Sequence, residues 1–420
     1  MSFYNNQSTV WHPYTQMQGS EIIPIASGKG AYVYDDKGNR YIDAVASWWT
    51  NLHGHAHPHI AQAIAAQASK LEQVIFAGFT HEPAEVLATQ LLQRIPFHQK
   101  IFYTDNGSTA VEVALKMALQ YWSNQGQERT KIICFKDAYH GDTFGSMSIS
   151  ARGVFTGPYQ KLLFDVAFID TPDYTNGDVV KEQLSTLLKQ GDIAAFIFEP
   201  LVLGSAGMMM YTPELLNDLI GICKAHNVPA ISDEVMTGFG RTGKFLAVDY
   251  CENKPDIVCL SKGITGGFLP FAATTCTEAI YRVFLSEERV KMLFHGHSYT
   301  ANPLGCAAAI ASLQVFEQEN TFAHIARIAE QHTAFAASIK NHKAVKQVRL
   351  QGTIVALEIE TGNTTGYLNN IRDKAYRYFI DRKIILRPLG NVVYILPPYC
   401  ISNADLQEVY TAITDFIDGL

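Results

Sequence analysis

Short runs of β-branched and aromatic residues alternate with longer segments of helical periodicity through the middle of the chain. This alternation restricts the fold more than any other feature. KIFYTD (100–105), KIICF (131–135), AAFIFE (194–199), VPAISD (228–233), DIVCLS (256–261) and FAATTC (271–276) are each a few residues long and read as strands. Between them lie helical patterns such as TAVEVALKMALQYW (109–122), where Val111, Ala114, Leu115, Ala118, Leu119 and Trp122 recur at helical spacing. Such alternation predicts an α/β fold with a large, mostly parallel sheet covered by helices on both faces. The last hundred residues read differently. A helical pattern, NPLGCAAAIASLQVFEQ (302–318), leads into a charged helical stretch, then into strand-like QVRLQGTIVALEIE (347–360), KIILRPLG (383–390) and NVVYILPP (391–398). GAYVYDDKGNRYIDAV (30–45) reads as a hairpin turning at Asp36–Asn39, expected to pair with the C-terminal domain. The expected organisation is a segment 1–55 that contributes to a small domain and a substrate pocket, a large domain over 56–319, and a small α+β domain over 320–420.

Composition removes several alternatives. With 420 residues, 47% of them hydrophobic, the chain can bury a large core without metal or disulfide staples. Its 33 basic and 40 acidic residues give a net charge of −7, and no Lys/Arg block offers a footprint for nucleic acid. The seven cysteines are scattered, odd in number and never form C-x-x-C, which suits reduced thiols in a cytosolic enzyme better than a disulfide framework or zinc ribbon. The polar start, MSFYNNQSTVWHPYTQM, has no apolar region of a secretory signal, and no run of about 18 apolar residues suggests a membrane span. The expected location is therefore the cytoplasm.

Three of the strand-like runs end in reactive residues, and ligands in open α/β sheets gather at the carboxyl ends of strands. KIFYTD delivers Asn106-Gly107-Ser108-Thr109 and then a helix. Gly107 permits tight backbone geometry, and Thr109 with Glu112 has capping-box spacing, so a helix N-terminus is expected here. Free N–H groups and the positive helix end suit a phosphate. VPAIS delivers Asp233, and DIVCLS delivers Lys262, followed by Gly263-Ile264-Thr265-Gly266-Gly267. A lysine amine becomes a nucleophile when burial or a nearby cation lowers its pKa, and an aspartate can keep a pyridinium nitrogen protonated. Each feature alone has a plain structural reading: a capped helix, a surface aspartate, a lysine snorkelling from a strand end. Phosphate cup, carboxylate and lysine at the ends of strands in one sheet point together to pyridoxal phosphate.

Other motifs weigh less. Gly238-Phe239-Gly240-Arg241-Thr242-Gly243 matches G-x-G-x-x-G, yet it does not open a helix directly after its strand, as a nicotinamide-dependent oxidoreductase would require. Its glycines are expected to shape an active-site loop. His53, His55, His57 and His59 alternate as they would on one face of a strand, but Gly54 and Pro58 interrupt it and no Cys or carboxylate joins them, so a polar loop is preferred to a metal site. The tandem Trp48-Trp49 cannot easily bury both rings on one side, and one of them is expected to wall a substrate pocket.

With these residues in hand, the chain resembles the class III, fold-type-I pyridoxal-phosphate aminotransferases nearly end to end. The resemblance rests on DNGSTAVEVALKMA (105–118), AYHGDTFGSMS (138–148), FEPLVLGSAGM (198–208), SDEVMTGFGRTGKFLA (232–247) and LSKGITGG (260–267). It implies that Lys262 holds the cofactor and shuttles a proton, that Asp233 pairs with the ring nitrogen, that Gly107 and Ser108 bind the phosphate, and that Tyr139 stacks on the ring. It also implies a homodimer with shared sites, in which His297 and Ser298 reach the neighbour's phosphate. Tyr14, Trp48, Trp49, Gly296 and Arg387 are implied as walls of the substrate pocket, with Arg387 gripping a carboxylate. WHPYTQM (11–17), SWWTNLHGHAHP (47–58), ALQYW (118–122), FHGHSYTANPLGCAAA (294–309) and RPLGNVVYILPPY (387–399) narrow the resemblance to the branch that aminates 8-amino-7-oxononanoate on the way to biotin. Tyr14 and the tandem tryptophans follow members that use S-adenosylmethionine as donor, whereas His297-Ser298-Tyr299 also occurs in relatives that use lysine. S-adenosylmethionine is the expected donor and lysine the alternative; another ω-amino-acid or diamine aminotransferase is the wider one.

Overall fold

The computed structural model describes residues 9–19, 22–362 and 369–420. The first eight residues of the polar start lie outside them. Seven strands form the central sheet, in the spatial order Lys100–Thr104, Ala272–Cys276, Ile257–Leu260, Ala230–Asp233, Ile193–Phe198, Lys131–Phe135, Ala167–Ile169. Only Ala272–Cys276 runs against its neighbours, so the other six strands point their carboxyl ends to one edge. Successive strand residues face opposite sides. Ile132, Cys134, Ile231 and Cys259 pack in one apolar layer with Val111 and Ala114 of the helix Gly107–Ser123. Ile133, Phe135, Phe196 and Val258 pack in the other with Leu87 of Glu82–Arg94 and Leu216 of Pro213–Ala225. The sheet is buried on both faces, which is why its strands are continuous apolar runs rather than alternating ones.

The N-terminal hairpin, Tyr32–Asp35 with Arg40–Asp43, pairs with Ile25–Lys29 on one side and, in parallel, with Ile384–Ile385 on the other. Val345–Gln351, Ile354–Ile359 and Val392–Ile395 make a separate antiparallel sheet. The strand expected over 383–390 shortens to those two residues because Pro388 cannot donate to a ladder and Gly390 takes a φ of 64°. Helices Thr321–Ile339 and Asn403–Asp418 cover this region, with Phe335 and Tyr410 stacked at 4.2 Å.

The GFGRTG segment binds these parts together instead of shaping an active-site loop. Arg241, fully buried, donates to the carbonyls of Pro397 (2.7 Å) and Asn51 (2.9 Å), and its own carbonyl accepts from Thr353 N at 2.9 Å. A Cβ on Gly240, whose φ is 96°, would come within 2.4 Å of Ile325 Cδ1. Gly240 is glycine because helix Thr321–Ile339 presses on the backbone there, whereas a Cβ on Gly238 would meet the Glu234 carbonyl at 2.8 Å and one on Gly243 the Tyr250 hydroxyl at 2.7 Å.

The alternating histidines do not form a strand. His57 precedes the helix Pro58–Ala68, and each ring has its own partner: Ser312 for His53, Asp43 for His55, Glu319 for His57, Gln314 for His59. Among the described residues no group of three or more His, Cys, Asp or Glu side chains is placed to hold a metal, and no helix is long and apolar enough to cross a membrane.

Three histidines are buried where protonation is costly. Burial pushes His53 and His332 down to about 3 and His98 to about 4, against an ordinary 6.5. His98 bridges Thr275 Oγ1 (2.7 Å) and the Pro255 carbonyl (3.0 Å). These rings are neutral when folded and take up protons near pH 6.5 when unfolded, so they cost nothing above that pH. Stability is lost as pH falls from about 6.5 toward 4. His98→Gln is expected to reduce that slope by about one proton, or ~1.4 kcal/mol per pH unit. Denaturant titrations from pH 4.5 to 7 measure it, and an unchanged slope would contradict the assignment.

Candidate active site

Five parallel strands deliver side chains to the same edge of the sheet. Lys100–Thr104 is followed by Asn106 and the helix Gly107–Ser123. Lys131–Phe135 leads to Tyr139 and His140, and Ile193–Phe198 to Glu199. Ala230–Asp233 ends in Asp233, and Lys262 stands two residues beyond Ile257–Leu260. A cavity of about 510 Å³ opens there, lined by Gly107, Ser108, Tyr139, His140, Glu199, Asp233, Lys262 and Trp49 among others.

At one end of this cavity is the helix N-terminus. Its cap lies three residues before the expected one: Asn106 accepts from Thr109 N at 3.0 Å, and Thr109 Oγ1 accepts from Asn106 N at 3.2 Å. Asn106 outcompetes Thr109 because the strand has already placed it in extended geometry, the backbone a cap needs. Glu112 is thereby freed, and it accepts from Thr143 Oγ1 (2.6 Å) and Gly145 N (2.8 Å), anchoring the loop that carries Tyr139 and His140. The backbone is packed closely: a Cβ on Gly107 would meet Val235 Cγ1 at 2.7 Å, and one on Gly141 would meet Ser108 Oγ at 2.0 Å.

Opposite lie the titratable groups. Asp233 Oδ2 accepts from His140 Nδ1 at 2.7 Å, and Oδ1 accepts from Val235 N at 3.1 Å. Both side chains are buried. Glu199 accepts from Tyr139 N (2.9 Å) and Gly204 N (3.0 Å); burial, with help from the Asp233 charge, raises its carboxyl to about 7. Lys262 has a φ of 46°, a left-handed backbone that costs a non-glycine residue on the order of 1 kcal/mol. Its Nζ lies 5.0 Å from the Trp49 ring centroid. Burial lowers its pKa, opposed by the charges of Asp233 and Glu199.

A second cavity of about 270 Å³ meets the first at Trp49, Tyr139 and Lys262, and adds Tyr14, Trp48, Phe155, Ser205, Arg387 and Leu389. The two tryptophans diverge within a turn whose backbone is left-handed at Ser47, with a φ of 63°, and at Trp49, with a φ of 69°. Asp43 holds that turn, accepting from Ser47 N at 2.7 Å and Val45 N at 3.2 Å. Trp49 turns inward and donates from Nε1 to Tyr394 OH at 3.0 Å. Trp48 turns outward, edge-on to Tyr14 at 5.6 Å, with the Arg387 guanidinium 4.4 Å above it. Tyr14 OH donates to Asp142 and lies 3.4 Å from Tyr139 OH; burial raises the Tyr139 pKa.

Of the residues singled out in the sequence, Gly107, Ser108, Tyr139, Asp233, Lys262 and Trp49 line the larger cavity, while Tyr14, Trp48 and Arg387 line the smaller one. Gly296, His297 and Ser298 line neither. Gly296 and Ser298 are exposed, and His297 Nε2 is buried without a partner among the described residues. His140, Asp142 and Ser205 went unnoticed. His140 and Asp142 flank Gly141 beside Tyr139 in the string already quoted, but no spacing rule ties them to Asp233 or Tyr14.

The chain is similar to known proteins over nearly its whole length. The family model for class III aminotransferases matches residues 14–417. An adenosylmethionine-8-amino-7-oxononanoate aminotransferase of Synechococcus elongatus is 47% identical, across 98% of this chain and 99% of that protein. The crystal structure of the Methanocaldococcus jannaschii protein of the same name superposes with a TM-score of 0.93 at 36% identity, covering 99% and 98% of the two chains. A PLP-bound amine transaminase from an uncultivated Pseudomonas species superposes with a TM-score of 0.89 at 30% identity, covering 97% of each.

Proposed function

The chain belongs to the class III aminotransferases, and from that premise we propose that it aminates the ketone of 8-amino-7-oxononanoate, with S-adenosylmethionine as amino donor and pyridoxal phosphate as cofactor. The observation that carries this is the meeting of the two cavities at Lys262: one shaped for the cofactor, the other an aromatic pocket ending in Arg387. Amine and ketone exchange places between two substrates, so the reaction needs no outside oxidant or reductant.

The residues fit the cofactor. The N–H groups of Gly107 and Ser108 at the helix start suit its phosphate, with no room for a larger residue at 107. Asp233, steadied by His140, is the carboxylate that keeps a ring nitrogen protonated. Pyridoxal phosphate, when bound, supplies an electron sink for the charge left behind as an α-proton departs. Lys262 is the covalent anchor, and its lowered pKa leaves more of the neutral amine available to accept and return that proton. Tyr139 forms a wall against the ring. Arg387, always charged and stacked on Trp48, offers a fork to the acceptor's carboxylate. In this reading, 56–319 is the cofactor domain, and 1–55 with 320–420 supply the substrate pocket and the small domain.

The donor assignment is supported by the pocket's chemistry. Tyr14, Trp48, Trp49, Tyr139 and Phe155 offer flat apolar surface to an adenine and aromatic faces to a sulfonium. Among the described residues no carboxylate lines this pocket to receive the distal ammonium of lysine. S-adenosylmethionine is therefore expected to discharge the yellow absorbance of the holoenzyme in a single half-turnover, and lysine at equal concentration far more slowly. Stopped-flow absorbance measures both, and rapid discharge by lysine with none by S-adenosylmethionine would reverse the donor.

Gly296, His297 and Ser298 are assigned to the neighbour's site in a homodimer. Gln73 Nε2 donates to the Ser298 carbonyl at 2.8 Å, which ties this loop to the 72–79 segment, and the two together expose Ile75, Phe79, Phe294 and Tyr299. An apolar surface of this kind suits a subunit contact. Dilution through the dimer dissociation constant is expected to release the cofactor, followed by fluorescence and sedimentation. A monomer with undiminished cofactor affinity would contradict the shared site.

A further inference from the structure

The aromatic pocket contains two buried polar atoms that have no hydrogen-bond partner among the described residues. One is Arg387 Nη2. The other is the hydroxyl of Ser205, at the tip of the turn between the short strands Val202–Leu203 and Met209–Met210. Both residues line the same cavity of about 270 Å³. The turn holding Ser205 is fixed in place: Gly204 N donates to Glu199 at 3.0 Å, and a Cβ on Gly204 would touch Met236 Sδ at 2.6 Å and Trp49 Cη2 at 3.1 Å. The hydroxyl is thus held against the pocket by the same Glu199 and Trp49 that border Lys262.

Buried polar groups are almost always hydrogen-bonded, so a group left open in a ligand pocket marks where a ligand brings the partner. The alkyl chain of the acceptor satisfies neither atom. A carboxylate has acceptor positions for both, because its two oxygens carry about four and a guanidinium fork uses only part of them. We propose that Ser205 is a second hydrogen-bond donor to the carboxylate received by Arg387, and so a residue that sets which acceptors the enzyme takes. This rests on the acceptor proposed above and adds a specificity determinant to it. Arg387 supplies charge and direction, while Ser205 rewards only an acceptor long enough to bring its carboxylate to both.

The test compares the holoenzyme's kcat/KM for 8-amino-7-oxononanoate with that for the analogue bearing a methyl group in place of the carboxylate. Losing a hydrogen bond to a charged group is expected to narrow the preference for the acid in Ser205→Ala by about tenfold to a hundredfold, mainly through KM for the acid. Ser205→Thr, which keeps the hydroxyl, is expected to hold the preference near the wild-type value and so separates the lost bond from disturbed packing. An unchanged preference in Ser205→Ala, or an equal loss on both acceptors, would overturn the role. If the wild type fails to aminate the acid at all, the acceptor itself is wrong, an outcome distinct from a working wild type with an indifferent Ser205.

Discussion

The direction of the strands governs everything else in this molecule. Six of the seven central strands run the same way, so residues as distant as 107, 140, 199, 233 and 262 arrive at one edge. The antiparallel Ala272–Cys276 does not disturb this, because it lies between Lys100–Thr104 and Ile257–Leu260 and leaves those two pointing alike. Burial of both sheet faces holds the edge rigid. A site whose parts come from five strand ends needs that rigidity, since small displacements of reacting groups are costly in rate.

The electrostatics follow from the burial. Charged groups crowded at a buried strand edge cannot all keep their ordinary pKa values. Asp233 is paired with His140. Glu199, bonded to two amides yet buried near Asp233, is pushed up to about 7. Lys262 is pulled both ways, its pKa lowered by burial and raised by the two carboxylates, with burial prevailing. An amine whose pKa is lowered beside carboxylates suits proton transfer. The left-handed backbone at Lys262 and along the turn to Trp49 shows where the fold bears strain to aim these groups, with Asp43 holding the second of these.

Much of this was legible in the sequence, and the boundary between what was and what was not has a physical cause. Asp233, Lys262 and the Gly107 helix start were readable because each directly follows an apolar strand. The helix cap was misread by three residues because Thr109 and Glu112 have the right spacing, and only the geometry after the strand selects Asn106. GFGRTG was expected to shape an active-site loop, yet its Gly240 answers to Ile325 of helix Thr321–Ile339, a contact between distant segments that local pattern cannot reveal. The four alternating histidines were read as a polar loop, and each has a separate partner: Asp43 nearby for His55, and residues of the distant 312–319 stretch for the other three. His140 and Ser205 escaped notice for the same reason: their significance lies in what they face, not in their neighbours in sequence.

The central claim is that Lys262 is the amine that holds the cofactor. Borohydride reduction of the holoenzyme, followed by peptide mass mapping, tests it most directly. The cofactor mass is expected on the peptide that contains Lys262 and to be absent from that position in Lys262→Ala, whose fold is checked by circular dichroism. Reduction that fixes the cofactor on another lysine, or a Lys262→Ala variant that sustains multiple turnovers, would contradict the account.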